Sequence, residues 1–147
     1  MTKLVKYEKG KPVNGSIILP EDKDYFTIGR ENSDIIIPKA TVSKYHATIF
    51  RYEKGLFLID HSKNGTYYNE QAPEFEREFK LESLANSSKF TSYRERRKRE
   101  TEREKTDSEY LREILSDKAL IGMLTENSKE LRDKGFIGFG KLEFELF

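Results

Sequence analysis

Residues 28–69 alternate between short runs of β-branched or aromatic residues and polar turns. Three of these turns are Gly29-Arg30, Ser43-Lys44-Tyr45-His46 and Asn64-Gly65-Thr66. Short apolar runs that are bounded by glycine and proline are typical of strands in a β-sandwich or barrel. The pattern therefore predicts antiparallel β-structure with polar loops at the strand ends.

The same pattern extends over the first 69 residues. The turn at Glu53-Lys54-Gly55 is predicted to join two runs as a hairpin. Apolar and polar residues alternate most clearly from His46 to Phe50, which favours a strand there. The predicted strands are residues 4–7, 16–19, 25–28, 35–37, 47–52 and 56–59.

The composition changes at residue 70, and helix-forming residues dominate as far as about residue 130. Pro73 suits the first turn of a helix that would hold Phe75, Phe79 and Leu84, although residues 79–81 also fit a strand. After Tyr93 no apolar residue occurs before residue 106. That segment is predicted to be either a solvated helix, supported by pairs four residues apart, or disordered.

A better helix signal follows. Thr106 and Glu109 have the spacing of a capping box. An apolar stripe then predicts a helix that needs a partner surface. The stripe consists of Tyr110, Leu111, Ile114 and Leu115, followed by Leu120, Ile121 and Leu124.

Strand chemistry returns in residues 131–147. Leu142, Phe144 and Leu146 alternate with glutamates, and Gly140-Lys141 is predicted to be the turn of a hairpin. Residues 1–69 alone would leave open sheet edges. The hairpin is therefore expected to return to the sheets of the first segment.

Composition narrows the range of functions. The 147 residues carry a net charge of +1, and the basic run at residues 94–99 is interleaved with glutamates, which favours a solvated segment over a nucleic-acid patch. There is no cysteine, and the two histidines do not make a zinc motif. Ser43 and His46 lack the surroundings of a hydrolase nucleophile. No catalytic residue, metal, cofactor or small-molecule substrate is predicted, and no membrane span or apolar leader is visible, so an intracellular protein, cytoplasmic or nuclear, is expected.

The order of the three turn motifs, together with Asp34-Ile35-Ile36-Ile37 and the Asp60-x-Ser62 sequence, resembles the forkhead-associated (FHA) domain. The FHA domain is a β-sandwich that binds phosphothreonine peptides, so the resemblance implies an all-β, antiparallel sandwich. In the family, the hairpin that closes the sandwich begins with a leucine, followed after a short spacer by Gly-Asp and then by a strand that ends in glycine. Residues 131–140 are similar, but Asp and Gly are exchanged. The expected organisation is one FHA domain, formed by residues 1–72 and 131–147 and interrupted by a charged helical insertion at about 73–130.

The resemblance also implies roles for individual residues. Phosphate contacts are expected from Arg30, Ser43 and Lys44, although the family usually has arginine where this chain has Lys44. Asn64 is expected to bind the peptide backbone, with Lys63 as a further cation near the ligand. The residues expected to organise the loops are Gly29, His46, Gly65 and Thr66.

The residues alone leave other interpretations open. Arg30 also fits a surface ion pair with Glu31 or Asp34, Ser43 also fits a bond to a turn amide, and His61 fits an exposed histidine. The function expected from the resemblance is a non-catalytic adaptor that recognises phosphothreonine in partner proteins in kinase-dependent signalling. The alternative is a scaffold whose helical insertion mediates protein interaction or self-association.

Overall fold

The computed structural model describes residues 2–8, 11–12, 17–69, 80–101, 105–131, 136–139 and 142–146. Within these residues the strands form two sheets. The strands are β1 Thr2–Glu8, β2 Lys11–Pro12, β3 Ile17–Leu19, β4 Tyr25–Gly29, β5 Ile35–Ile36, β6 Ala47–Tyr52, β7 Gly55–Asp60, β8 Tyr67–Asn69, β9 Lys129–Glu130, β10 Phe136–Phe139 and β11 Leu142–Leu146.

The first sheet has the order β2, β1, β11, β10 and β8, and β3 also pairs with β1. The predicted C-terminal hairpin is confirmed as β10 and β11, in which Ile137 lies opposite Phe144. This hairpin occupies the space between β1 and β8, because β11 pairs with β1 and β10 pairs with β8. The last strands in the chain therefore complete a sheet that the first strands begin.

The second sheet has the order β5, β4, β6, β7 and β9. The predicted hairpin at Glu53-Lys54-Gly55 joins β6 to β7, and Glu53 takes the left-handed backbone conformation with φ 54°. β4 lies parallel to the short β5 and antiparallel to β6. This arrangement brings the C-terminal ends of β4 and β7 and the start of β6 to one edge of the sheet.

Two helices lie on the second sheet. Helix α1 spans Ser88–Thr101 and helix α2 spans Asp107–Leu115. The predicted capping box of Thr106 and Glu109 is present at the start of α2. Two 3-10 helices, Leu84–Asn86 and Ile121–Asn127, flank the pair. The predicted apolar stripe therefore does not continue in one helix, because α2 ends at Leu115 and the chain turns, with Asp117 accepting a bond from the Ala119 N–H at 2.9 Å.

Each face of the second sheet has its own core. Consecutive residues of a strand point to opposite faces, and Ile49 packs between the sheets whereas Phe50 packs against the helices. The inter-sheet core contains Phe26, Ile28, Ile35, Ala47, Ile49, Leu58, Tyr68, Leu131 and Ile137. The helical core contains Phe50, Ile59, Leu84, Phe90, Tyr93, Tyr110, Leu111, Ile114, Leu115, Ile121 and Leu124. The description of the chain as an all-β sandwich is therefore incomplete, because helices cover the outer face of the second sheet.

Charged residues join the two helices. Glu113 accepts hydrogen bonds from Tyr93 at 2.7 Å and from the Arg97 Nε at 3.2 Å, and it also pairs with Lys105. Burial raises the pKa of Glu113, but these hydrogen bonds outweigh burial and lower the pKa to about 2. The segment after Tyr93 is thus a helix up to Thr101, and Arg96 and Glu100 form an ion pair of the predicted four-residue spacing at 3.7 Å.

The first part of the helix predicted to begin at Pro73, with Phe75 and Phe79, lies outside the described residues. Its predicted continuation to Leu84 is wrong, because Lys80 forms a β-bridge to Tyr67 and Leu84 begins a short 3-10 helix. Among the residues that are described, no helix combines the length and apolar character that crossing a bilayer requires.

Candidate functional site

Three loops meet at one edge of the second sheet. We call residues 30–34 the arginine loop, residues 37–46 the serine loop and residues 61–66 the asparagine loop. The arginine loop follows β4, the serine loop precedes β6, and the asparagine loop follows β7. The predicted site residues fall in these loops or, for Gly29, at the end of β4, and the fold brings them together.

Gly29 lets the arginine and serine loops approach each other. The Arg30 N–H donates to the Ser43 carbonyl at 3.0 Å, and the His46 N–H donates to the Ile28 carbonyl at 2.8 Å. A Cβ atom at Gly29 would lie only 1.9 Å from the Lys44 carbonyl oxygen. The glycine is therefore required by the close contact between two backbones.

His46 joins the serine loop to the asparagine loop. Its side chain is fully buried, the Ser43 N–H donates to its Nδ1 at 3.1 Å, and its Nε2 bonds the Gly65 carbonyl at 3.0 Å. Because Nδ1 accepts, the proton lies on Nε2 and the ring is neutral. Burial lowers the pKa of His46, against the smaller opposing effects of the Gly65 carbonyl and Asp60. His46 thus has the geometry of a brace between loops.

Asp60 and Gly65 hold the asparagine loop. Asp60 is 1% exposed, and its Oδ1 accepts from the Thr66 hydroxyl at 2.8 Å and from the Ser62 N–H at 3.1 Å. The Ser62 hydroxyl donates to Asp60 and accepts from the Gly65 N–H at 2.8 Å. Gly65 has φ 97°, which an L-residue rarely adopts. These contacts fix the turn that presents Asn64.

Ser43 and Asn64 each keep part of their hydrogen-bonding capacity. The Ser43 Oγ accepts from the Lys63 N–H at 3.1 Å, so the hydroxyl hydrogen can still be donated. The Asn64 Nδ2 donates to the Thr41 carbonyl at 2.9 Å, which leaves the amide oxygen as an acceptor. Ser43 therefore binds a turn amide, as the alternative interpretation expected, but this bond uses its hydroxyl only as an acceptor.

The cations of the site differ in their pairing. Arg30 is half-buried, and its guanidinium makes no ion pair with the described carboxylates. Asp34 instead pairs with Lys23, and Glu31 lies 3.5 Å from Lys44. Burial raises the pKa of Asp34, but the bonds from Lys23 and from residue 27 outweigh burial and lower it. The interpretation of Arg30 as a partner of Glu31 or Asp34 is therefore wrong.

The sequence did not predict two further residues at the site. Lys80 is exposed, and its side chain covers Gly65 so closely that a Cβ there would lie 2.5 Å from the Lys80 Cε. His61 is half-buried and joins two elements, because its Nδ1 bonds the Tyr45 carbonyl at 3.1 Å and its Nε2 bonds the Thr48 hydroxyl at 3.0 Å. Burial outweighs the opposing effect of Asp60 and lowers the pKa of His61 to about 4.

The expectation of an exposed His61 was therefore wrong, and a neutral ring supports the serine loop. Lys80 forms a β-bridge to Tyr67, so the strand-like alternation at residues 79–81 was the sequence signal that could have indicated its position. No three carboxylate or imidazole side chains in the described part of the chain converge as a metal site would require.

Comparison with known proteins agrees with this geometry. Residues 26–82 match the family model of the FHA domain, and no curated protein matches the chain. Yeast Pml1p is similar in structure, with a TM-score of 0.57, 18% identity and coverage of 100% of this chain and 81% of that one. The FHA domain of an Arabidopsis thaliana hypothetical protein has a TM-score of 0.56 at 16% identity, covering 99% of this chain and 82% of that one.

A third similar structure comes from work on phosphothreonine-dependent FHA domain interactions. It has a TM-score of 0.52 and 16% identity, and the match covers 99% of this chain and 93% of that one. At such identities these structures show the fold alone. Residues 26–82, which carry the three loops, therefore match the FHA domain family, and the chain shares the fold of these structures.

Proposed function

We propose that the chain is a non-catalytic module that binds phosphothreonine in partner proteins, as an adaptor in kinase-dependent signalling inside the cell. The observation that carries the proposal is the set of unused groups at the meeting point of the three loops. These are the Arg30 guanidinium, the Ser43 hydroxyl hydrogen and the Asn64 amide oxygen. They are held in place by the buried His46 and Asp60.

The unused groups match the chemistry of a phosphorylated peptide. A phosphate brings about −1.5 to −2 charges and three acceptor oxygens. Arg30 and Ser43 offer donors to those oxygens, with Lys44 and Lys63 as further cations, and Asn64 offers an acceptor to a peptide N–H. Gly29, Gly65 and Thr66 would act only by holding the loops.

A titration with a phosphothreonine peptide library, followed by individual peptides, tests the proposal. Arg30→Ala and Ser43→Ala each remove a charge-assisted hydrogen bond, which contributes about 1.5 to 3 kcal/mol, so roughly ten- to a hundredfold weaker binding is expected. Lys54→Ala is the matched control, because Lys54 is exposed in the β6–β7 turn at the other end of these strands. Wild-type affinity in Arg30→Ala would disprove the proposed site.

Selectivity for threonine is a separate part of the proposal. Burying one methyl group contributes about 0.8 kcal/mol, which is roughly fourfold in affinity. Peptides that differ only in phosphothreonine or phosphoserine should therefore differ by at least this factor at fixed ionic strength. Equal affinities would remove the selectivity and leave phosphate binding intact.

The alternative function, a scaffold that self-associates through its helices, has less support. The apolar stripe of α2 is already covered by Phe50 and Ile59 of the second sheet. We infer one domain in which residues 1–72 and the residues from Lys129 onward supply the sheets, and the residues between them are an insertion. Because β9 at Lys129–Glu130 pairs with β7, the later border lies ahead of Lys129 rather than at residue 131.

A further inference from the structure

Helix α2 borders the proposed binding site along its length. Its first turn shares a cleft with the asparagine loop, and the cleft is lined by Asp107 and Ser108 on one side and by His61 and Ser62 on the other. Its last turn reaches the serine loop. The helical segment is therefore part of the surface that surrounds the three loops.

Arg112 is the residue through which the last turn of α2 contacts the serine loop. Its Cζ lies 5.9 Å from the centre of the Tyr45 ring, and Tyr45 directly follows Lys44. Tyr45 is 37% exposed, and its backbone carbonyl is hydrogen-bonded to His61. A guanidinium thus lies over an aromatic ring of the loop that carries two of the proposed phosphate contacts.

The Arg112 guanidinium is available to a ligand. The side chain is exposed, and it makes no ion pair with the carboxylates of the described residues. Glu109, one turn earlier, is occupied in the capping box. A cation–π contact does not use the guanidinium N–H groups as hydrogen-bond donors, so they remain available to a carboxylate.

We propose that Arg112 is a specificity-determining residue that binds an acidic side chain near the phosphothreonine of the partner. This inference rests on the proposed function. An extended peptide advances about 3.3 Å per residue, and the serine loop that would hold the phosphate also carries Tyr45, so a side chain a few residues from the phosphothreonine is expected to come within reach of Arg112. An aspartate or glutamate there forms an exposed ion pair, which strengthens binding about two- to fivefold.

The experiment uses one phosphothreonine peptide with neutral flanks and a series in which a single glutamate occupies each flanking position in turn. Each peptide is titrated against wild type, Arg112→Gln, Arg112→Lys and the control Lys54→Ala. In wild type and Lys54→Ala, glutamate at one position or two neighbouring positions should strengthen binding about two- to fivefold. The gain should disappear in Arg112→Gln, be partly kept in Arg112→Lys, and decrease at high salt.

The outcomes separate this inference from the function on which it rests. The neutral peptide should bind wild type and Arg112→Gln equally, since it offers Arg112 no carboxylate. If every glutamate peptide gains equally in wild type and Arg112→Gln, or no position gains at all, Arg112 does not read the flank and the inference is wrong. If the neutral peptide weakens in Arg112→Gln as much as the glutamate peptides, Arg112 only supports the loop. Failure of wild type to bind any phosphopeptide would disprove the proposed function and this inference together.

Discussion

His46→Ala tests whether the loops form one braced unit. The substitution removes a buried ring that accepts from the Ser43 N–H at 3.1 Å and bonds the Gly65 carbonyl at 3.0 Å. Both backbone groups lose their partner, and the alanine leaves a space behind. The change therefore affects folding stability and the ligand loops at once, although His46 would not touch phosphate.

The size of the effect follows from the two lost bonds. A buried donor or acceptor without a partner costs about 1 to 3 kcal/mol, so two of them cost about 2 to 6 kcal/mol. Water that enters the space would keep the loss near the lower end. Since a domain is typically stable by about 5 to 15 kcal/mol, even the lower end is a large share of the free energy of unfolding.

Urea unfolding followed by circular dichroism measures this loss, because the chain has no tryptophan for fluorescence. His61→Ala is the control, since its ring also has two partners but is partly exposed to water. The loss for His46→Ala should exceed that for His61→Ala, and phosphopeptide affinity should fall with it. A His46→Ala protein within about 0.5 kcal/mol of wild type would refute the bracing role, because surface substitutions have effects of that size.

Three further predictions concern stability. Gly65→Ala should lower the free energy of unfolding by about 1 kcal/mol or more in urea titrations, because φ is 97° and the new Cβ would meet Lys80. Glu113→Gln should lower it by about 1 to 3 kcal/mol and speed amide exchange in α1, whereas the exposed Glu95→Gln should change it by less than 0.5 kcal/mol. His61 has its pKa lowered to about 4 from 6.5, so the unfolded chain binds more protons below pH 6.5. The contribution of neutral His61 to the free energy of unfolding is complete above pH 6.5 and is lost as the pH falls towards 4. The urea midpoint should therefore depend less on pH across that range in His61→Gln than in wild type.

The strands that position the site could be predicted from the sequence with small errors. β6 spans Ala47–Tyr52, as predicted, and β7 extends the predicted strand by one residue at each end. Tight turns and β-branched runs are local signals, so their positions follow from neighbouring residues. The roles of Arg30, Ser43 and Asn64 came from the family resemblance, and they stay predictions.

The neighbours that come from distant parts of the chain could not be predicted. Lys80 reaches Gly65, and Arg112 reaches Tyr45, only because the segment after β8 folds back onto the second sheet. A helical pattern shows which residues share a face, but it does not show which surface that face covers. Exposed side chains such as Lys80 carry no apolar signal of their own.

One signal for the position of the helices was nevertheless present in the strands. β6 and β7 have apolar residues at consecutive positions, as in Ile49 with Phe50 and Leu58 with Ile59. A strand that is buried on one face alternates, whereas a strand that is buried on both faces reads as a continuous apolar run. A strand with two buried faces needs a packing partner on each face, and the apolar stripe of α2 needed a surface to pack against. Because α2 packs on the outer face of these strands, its last turn lies beside the loop that precedes β6, and this packing brings Arg112 to Tyr45.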